Sequence, residues 1–274
     1  MKNIMKDKNF SVPETQEDIN SDSDIIQGIN FSFLKKEFNC NDKELIERLM
    51  KTEKSMQENE NGLDSNDESS QDIQDYGASS YWEERYIICP TPFDWYVTWD
   101  QIEYIIGSLF NGEELALNIG CGNSCMSEDM QKKLFKVVVS IDISPSVIYQ
   151  MKEMHKNNHD LIWYTMDCSK MSFEDEMFDA VFDKGTFDAL LCGPNAITIV
   201  YETMKEIYRE LKGGGVFIEI TYGEPKNRLT FFKNLDIEWK LYDPEVIINE
   251  NDGQRTYIYI FQKLSHTVMN KLEI

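Results

Sequence analysis

Two glycines and four charged residues, set at the ends of short apolar runs, carry most of the chemistry that this sequence displays. The stretch Leu115–Ser124 reads LALNIGCGNS. Leu115, Leu117 and Ile119 alternate with smaller or polar partners, as in a short buried strand. Gly120 and Gly122 then remove two side chains where the chain must turn and where a ligand can touch bare backbone. A second apolar run, Val137–Ile141, ends on Asp142, about twenty residues past the turn, the spacing of a βαβ nucleotide site. An acidic side chain at the tip of the neighbouring parallel strand can accept both hydroxyl hydrogens of a ribose. A glycine pair alone describes only a tight turn; the pair plus Asp142 describes a nucleoside site at the carboxyl end of a parallel sheet.

The turn lacks the third glycine of a dinucleotide fingerprint, and Asn123 and Ser124 stand there instead. That argues against a bound pyrophosphate and for an uncharged linker, which points to S-adenosylmethionine rather than NAD. Two further strand ends are charged. Asp167, followed by Cys168, can accept an adenine amino group while the next backbone N–H meets a ring nitrogen; the alternative is a helix cap or solvated turn. Asp183-Lys184-Gly185-Thr186 follows the fourth strand, against which a reactive methyl would lie; here the alternative is an ion pair that only tidies the strand end. Methyl transfer from a sulfonium needs alignment and a nucleophile with a free lone pair. A lysine amine must first lose a proton, so an acidic mouth is useful. Asp183, Asp188, Glu219 and Tyr222 fall near this rim, with Asp183 and Asp188 as the candidate catalytic groups. No NPPY-type signature follows the fourth strand, so an amide or adenine-amine substrate is not indicated.

The elements that must position these groups alternate. Strands are expected at Leu115–Ile119, Val137–Ile141, Leu161–Met166, Met177–Phe182 and Val216–Thr221. Helices are expected at Ser124–Phe135, from Ser144-Pro145 to about His155, and at Ala196–Leu211, the last stopped by Lys212-Gly213-Gly214-Gly215. Upstream, YWEERY from Tyr81 reads as one helical segment, and Trp99–Phe110 as an amphipathic helix. The aromatics of YWEERY and of Phe93-Asp94-Trp95-Tyr96 serve either core packing or a pocket wall. Ile237–Tyr242 and Thr256–Leu264 alternate at period two across a polar loop and form a terminal antiparallel pair. The expected fold is therefore α/β: a Rossmann-like, doubly wound, mostly parallel seven-stranded sheet with helices on both faces and a C-terminal antiparallel strand pair.

Composition bounds the partners. The 274-residue chain has 27 basic and 49 acidic residues, a formal net charge of -22. A field of that sign repels nucleic-acid backbones and anionic membranes and favours a basic protein substrate. No apolar run is long enough for a membrane span, and the N-terminus has neither a signal-peptide core nor the arginines of a transit peptide, so a cytoplasmic location is expected. The six cysteines show no metal spacing, and no metal is expected; Cys121 and Cys125 read as small apolar fillers. Residues 1–75 read as an acidic, largely disordered N-terminal arm, with loosely helical apolar spacing over Phe31–Met56. The expected domain spans 76–265, followed by a tail at 266–274. The sequence leaves the oligomeric state open.

In order, YWEERY, FDWY, LNIGCGNS, SIDIS, MDCSKM, FDKGTFDALL and ELKGGGVFIEIT resemble a class I, seven-stranded S-adenosylmethionine-dependent methyltransferase. They most resemble the small eukaryotic branch that methylates lysines of translation elongation factor 1-alpha. The resemblance covers about Tyr81–Leu264. It implies that Trp82, Tyr86 and Trp95 line the cofactor pocket, that Gly120 makes the glycine-turn contact, and that Asp142 with Ile143 holds the ribose side. It places Asp167 with Cys168 at the adenine side and Lys184 near the methionine end. Asp183 stands where the family often has glutamate, and the arm before Tyr81 has no counterpart. Leu191–Thr198 would meet the protein substrate. The activity implied is protein-lysine N-methylation, with S-adenosylhomocysteine as product. A citrate synthase-type lysine methyltransferase, a small-molecule methyltransferase and a non-catalytic cofactor-binding scaffold are the other readings.

Overall fold

The computed structural model describes residues 76–233, 237–250 and 252–265. The acidic arm expected at 1–75 and the tail at 266–274 lie outside the described residues. Seven α-helices and eight strands are present among them. Helix α1 (Ser79–Ile88) and α2 (Trp99–Ile106) precede β1 (Leu115–Ile119). Then come α3 (Met126–Lys133), β2 (Val137–Asp142), α4 (Pro145–Met154), β3 (Leu161–Thr165) and β4 (Phe178–Lys184). The chain continues through α5 (Thr186–Leu190), α6 (Ala196–Glu210), β5 (Leu211–Thr221) and α7 (Pro225–Lys233), and closes with β6 (Trp239–Leu241), β7 (Glu245–Ile248) and β8 (Arg255–Lys263).

All eight strands form one sheet in the order β3-β2-β1-β4-β5-β8-β6, with β7 also paired to β8. The first five in that order are parallel, and β8 runs antiparallel to β5. This is the expected α/β, mostly parallel arrangement with antiparallel C-terminal strands. It carries one additional strand, β7, and two short helices, α5 and α7, that local periodicity did not announce. Strand order reverses between β1 and β4, so the carboxyl ends there diverge and leave the crevice in which ligands of such sheets bind.

Period-two alternation divides the core. Ala116, Val138, Ala180, Phe182, Ile218 and Ile220 pack with residues of α1 to α4 on one face, while Leu117, Ile119, Val139, Ile141, Val181 and Phe217 meet Val200, Met204 and Ile207 of α6 on the other. Burying each of these side chains larger than alanine contributes roughly 1.5–3 kcal/mol. The helices start where local chemistry dictates. Thr98 and Gln101 form a capping box on α2, and Ser144 accepts the Val147 N–H with Pro145 opening α4.

The glycine run behaves differently from expectation. Helix α6 stops at Glu210 and β5 begins at once, with Leu211 facing Phe178 and the register shifting before Ala180 faces Val216. Lys212–Gly215 therefore lies inside an irregular strand instead of forming a separate cap. A Cβ on Gly215 would press on two backbone oxygens, of Asp179 and Lys212, at 3.0 Å, so glycine eases the close crossing there.

Candidate active site

Beyond the carboxyl ends of β1, β2 and β4 lies a cavity of about 660 Å³. Its first wall is the glycine turn. Gly120 and Gly122 have φ of 55° and 51°, a left-handed region that other residues enter at a cost. Their missing side chains also admit neighbours: a Cβ on Gly122 would stand 2.5 Å from the Tyr86 hydroxyl, and one on Gly120 would overlap Thr186. The glycines are thus fixed from behind by packing as well as in front by the cavity.

Asp142, at the tip of β2, is buried and lines the cavity. Its Oδ2 accepts the Gly122 N–H at 2.9 Å and its Oδ1 the Ser144 N–H at 2.9 Å. One carboxylate therefore ties the glycine turn to the start of α4 and keeps lone pairs on both oxygens for further donors. Burial pushes its carboxyl up to about 6, against the pull of those backbone N–H groups. Ile143 adjoins it on the lining. Asp167 and Cys168 follow β3 on the same lining. Asp167 Oδ1 accepts both the backbone N–H and the hydroxyl of Ser169, a local turn that steadies the carboxylate.

Aromatic side chains form the roof. Trp82 stacks on Tyr86 with centroids 6.0 Å apart and meets Trp95 edge-on at 6.3 Å; all three line the cavity. Arg85 on the same helix lies 5.6 Å from the Phe93 ring centre. Glu83 clamps α1 to the start of α4, accepting from the hydroxyls of Ser144 and Ser146 and from the Ser146 N–H. The hydroxyl bonds from Ser144 and Ser146 hold the Glu83 carboxyl below its usual range.

The β4 end departs from the expected Asp183–Lys184 pair. Neighbours on a strand point to opposite faces. Lys184 lines the cavity and donates to Asp94 at 2.6 Å, and Asp94 also takes the Ser124 hydroxyl. Burial lowers the Lys184 ammonium while Asp94 opposes that shift. Asp183 points the other way, is fully buried, and accepts the N–H groups of Thr186 and Phe187 at 2.7 and 3.2 Å. It caps α5 and is absent from the cavity lining, whereas Asp188 is on it. Cys121 is buried, but Cys125 is exposed, so only the former is a filler.

Asp188 anchors a compact polar cluster. It accepts from the Tyr96 hydroxyl at 2.8 Å, from the Thr221 hydroxyl at 2.8 Å and from the Arg228 guanidinium. Arg228 also faces Glu219 at 3.2 Å. Burial, then the Asp188 charge, pushes Asp183 up to about 7. Burial pushes Glu219 up to about 8 against the attraction of Arg228. Near neutral pH Glu219 therefore keeps its proton, and the cluster avoids stacking three anions against one cation. Two contributors received no role from the sequence, Asp94 and Arg228. They reach Lys184 and Asp188 from 90 and 40 residues away, so no local spacing announced them.

The fold and this site define a class I S-adenosylmethionine-dependent methyltransferase; the chain belongs to that family, and S-adenosylmethionine is its cofactor. A family model described as "Methyltransferase domain" matches residues 117–218. The resemblance is more particular to a mouse (Mus musculus) protein named "EEF1A lysine methyltransferase 4", 30% identical over 176 residues, covering 61% of this chain and 69% of the relative. A second mouse relative, "eEF1A lysine and N-terminal methyltransferase", is 33% identical over 154 residues and covers 55% of this chain, which spans only 22% of that longer protein. Among solved structures, the N-methyltransferase NodS from Bradyrhizobium japonicum in complex with S-adenosyl-l-homocysteine aligns with a TM-score of 0.50 at 14% identity, over 77% of this chain and 98% of NodS. That likeness speaks for the fold. Among the described residues, no helix is long and apolar enough to cross a membrane.

The residues present fit the cofactor. A buried carboxylate with spare lone pairs meets the requirement of two ribose hydroxyls, bare backbone at the glycine turn admits a close uncharged linker, and aromatic walls cover apolar ring faces. A volume of about 660 Å³ lies within the usual range for small-molecule sites.

Proposed function

We propose that this methyltransferase transfers its methyl group to the side-chain amine of a lysine in translation elongation factor 1-alpha. The observation that carries the reading is the polar cluster at the β4 and β5 tips: an acidic group on the cavity lining, Asp188, beside the hydroxyl of Tyr96. An amine-directed site needs such acceptors. The names of the relatives support the target, and the net charge of -22 suits a basic client.

In this reading Asp142 accepts the ribose hydroxyls, with Ile143 against the sugar, and Gly120 and Gly122 present bare backbone. Asp167 and Cys168 hold the adenine edge, and Trp82, Tyr86 and Trp95 exclude water. Lys184, kept in place by Asp94, faces the methionine end. When bound, the cofactor supplies an electrophilic methyl carbon. The acidic mouth draws in the ammonium, which releases its proton to Asp188 or to water before its lone pair is usable. Asp183, spent on capping α5, acts only by holding that helix and hence Asp188.

Incubating the purified protein with S-adenosylmethionine and recombinant elongation factor 1-alpha, then mapping lysines by mass spectrometry, tests the proposal. Site-specific lysine methylation is expected. An unmodified factor, from a protein that binds S-adenosylhomocysteine normally, refutes the target. The same spectra report the factor's N-terminal amine, the alternative acceptor named for the longer relative.

A further inference from the structure

Tyr96 sits in a conformation that its residue type does not choose. Its φ is 68°, in the left-handed region, which it shares with only Glu176 and Asn195 among the described non-glycine residues. For a bulky side chain such a backbone is strained, and such strain concentrates where function over-determines geometry. Here the determinants are visible. The ring packs on Tyr222 with centroids 4.1 Å apart. It also lies over Gly185, where an added Cβ would come within 3.1 Å of its hydroxyl oxygen.

The hydroxyl is also oriented. A phenol has one hydrogen and an oxygen that can accept. That hydrogen is spent on Asp188 Oδ2 at 2.8 Å, and Asp188 is in turn held by Thr221 and Arg228. Burial and the adjacent Asp188 charge push the Tyr96 phenol well above its ordinary range, so the hydrogen stays on oxygen and Tyr96 is no proton acceptor. What remains for the cavity, whose lining includes Tyr96, Gly185 and Asp188, is the oxygen's accepting side. Position completes the argument. In the sheet order, Asp142 on β2 and Gly185 beyond β4 lie on either side of β1. Tyr96 therefore stands on the side of the glycine turn away from the ribose carboxylate, where an acceptor substrate must approach.

We propose that Tyr96 is the amine-positioning residue of this site: its oxygen, with the hydrogen turned away to Asp188, accepts an N–H of the substrate amine and aims the nitrogen lone pair at the methyl carbon. This rests on the amine-methylation reading above. A held N–H is also one that is not replaced by methyl, so Tyr96 favours lower methylation states. The neighbouring carboxylate supplies orientation and charge, and Tyr96 supplies direction.

The test uses the full chain and Tyr96→Phe, which keeps the ring, its packing on Tyr222 and the backbone constraint. Saturation-transfer NMR titrates propylammonium, a lysine side-chain mimic, into each protein saturated with S-adenosylhomocysteine. Wild type is expected to bind it roughly tenfold more tightly than the variant, the effect of one hydrogen bond from a charged donor, with S-adenosylhomocysteine affinity the same in both. On elongation factor 1-alpha, the variant is expected to show a raised KM and a larger share of multiply methylated lysine. Equal propylammonium affinity in the two proteins, or no binding to wild type, overturns the assignment of Tyr96. An unmethylated elongation factor, with propylammonium still discriminating between the two proteins, overturns the target and leaves the role of Tyr96 standing.

Discussion

Affinity for S-adenosylhomocysteine should depend on pH through a single carboxyl. Asp142 is buried, and its carboxyl lies at about 6 in the free protein. Ribose hydroxyls donate to the ionised form, so binding selects the carboxylate. The apparent Kd then scales as one plus the ratio of protonated to ionised Asp142: about 11-fold weaker at about pH 5, about twofold weaker at about pH 6, and level above about pH 7. Isothermal titration calorimetry at constant ionic strength measures the profile. Asp142→Asn supplies the control, since an amide does not titrate. It should weaken binding by roughly 10- to 150-fold, the loss of one hydrogen bond to a charged acceptor at about 1.5–3 kcal/mol. It should also flatten the profile. Because the amide turns an N–H₂ towards either Gly122 or Ser144, whose N–H groups the two oxygens now accept, about 1–3 kcal/mol of stability goes with it. A thermal melt confirms that the variant is folded. A level profile in wild type, or the same slope in the variant, refutes the assignment of Asp142 to the ribose.

Three other outcomes follow from the buried charges and the core. Unfolded carboxyls ionise near their model values of 3.8 and 4.5, whereas Asp183 and Glu219 keep protons in the fold until about 7 and about 8. The folded chain binds more protons across that window, so stability present below about pH 4 is lost as pH rises and has levelled off above about 8. Differential scanning calorimetry of the cofactor-free protein should show Tm falling from pH 5 to 8, and Glu219→Gln should lessen the fall. Arg228→Met leaves the buried Asp188 carboxylate without its cation and should cost about 3–5 kcal/mol in urea unfolding at neutral pH; a loss below about 1 kcal/mol would show the cluster to be solvated. Leu117→Ala, at a fully buried β1 position, should cost about 2–5 kcal/mol in the same assay.

The parts of the site that sequence displayed are those whose signal is local. Leu117 and Ile119 alternate with smaller neighbours and end on glycines, so β1 and its turn could be placed without a partner strand. Asp142 could be placed because one helix and one strand, as in a βαβ unit, fix its separation from Gly122. The rest depends on contacts that span the chain. Asp183 and Lys184, being adjacent, read as two members of one site or as an ion pair, yet pleating sends them to opposite faces, and Asp94 takes the ammonium from 90 residues away. Tyr96 read as either a core aromatic or a pocket wall; its value comes from a left-handed backbone and from Asp188, 92 residues on. Lys212–Gly215 looked like a helix stop because glycine is common there, but the need for close backbone crossing outweighed that preference. Strand β7 is four residues long and too short for periodicity to register.

The place of β8 in the sheet bears on how the chain is made. Strand β8 pairs with β5 on one side and with β6 and β7 on the other. On a ribosome, β6 and β7 emerge before the strand they must join, and the outer backbone of β5 stays bare until then. Phe217, already packed with residues of α5 and α6, gains its 5.6 Å stack on Phe261 only at the same event. During that interval the nascent chain offers open hydrogen-bonding edges and an oily face to other chains. Demand for chaperone protection should therefore peak late in translation and end when Arg255–Lys263 slots into place.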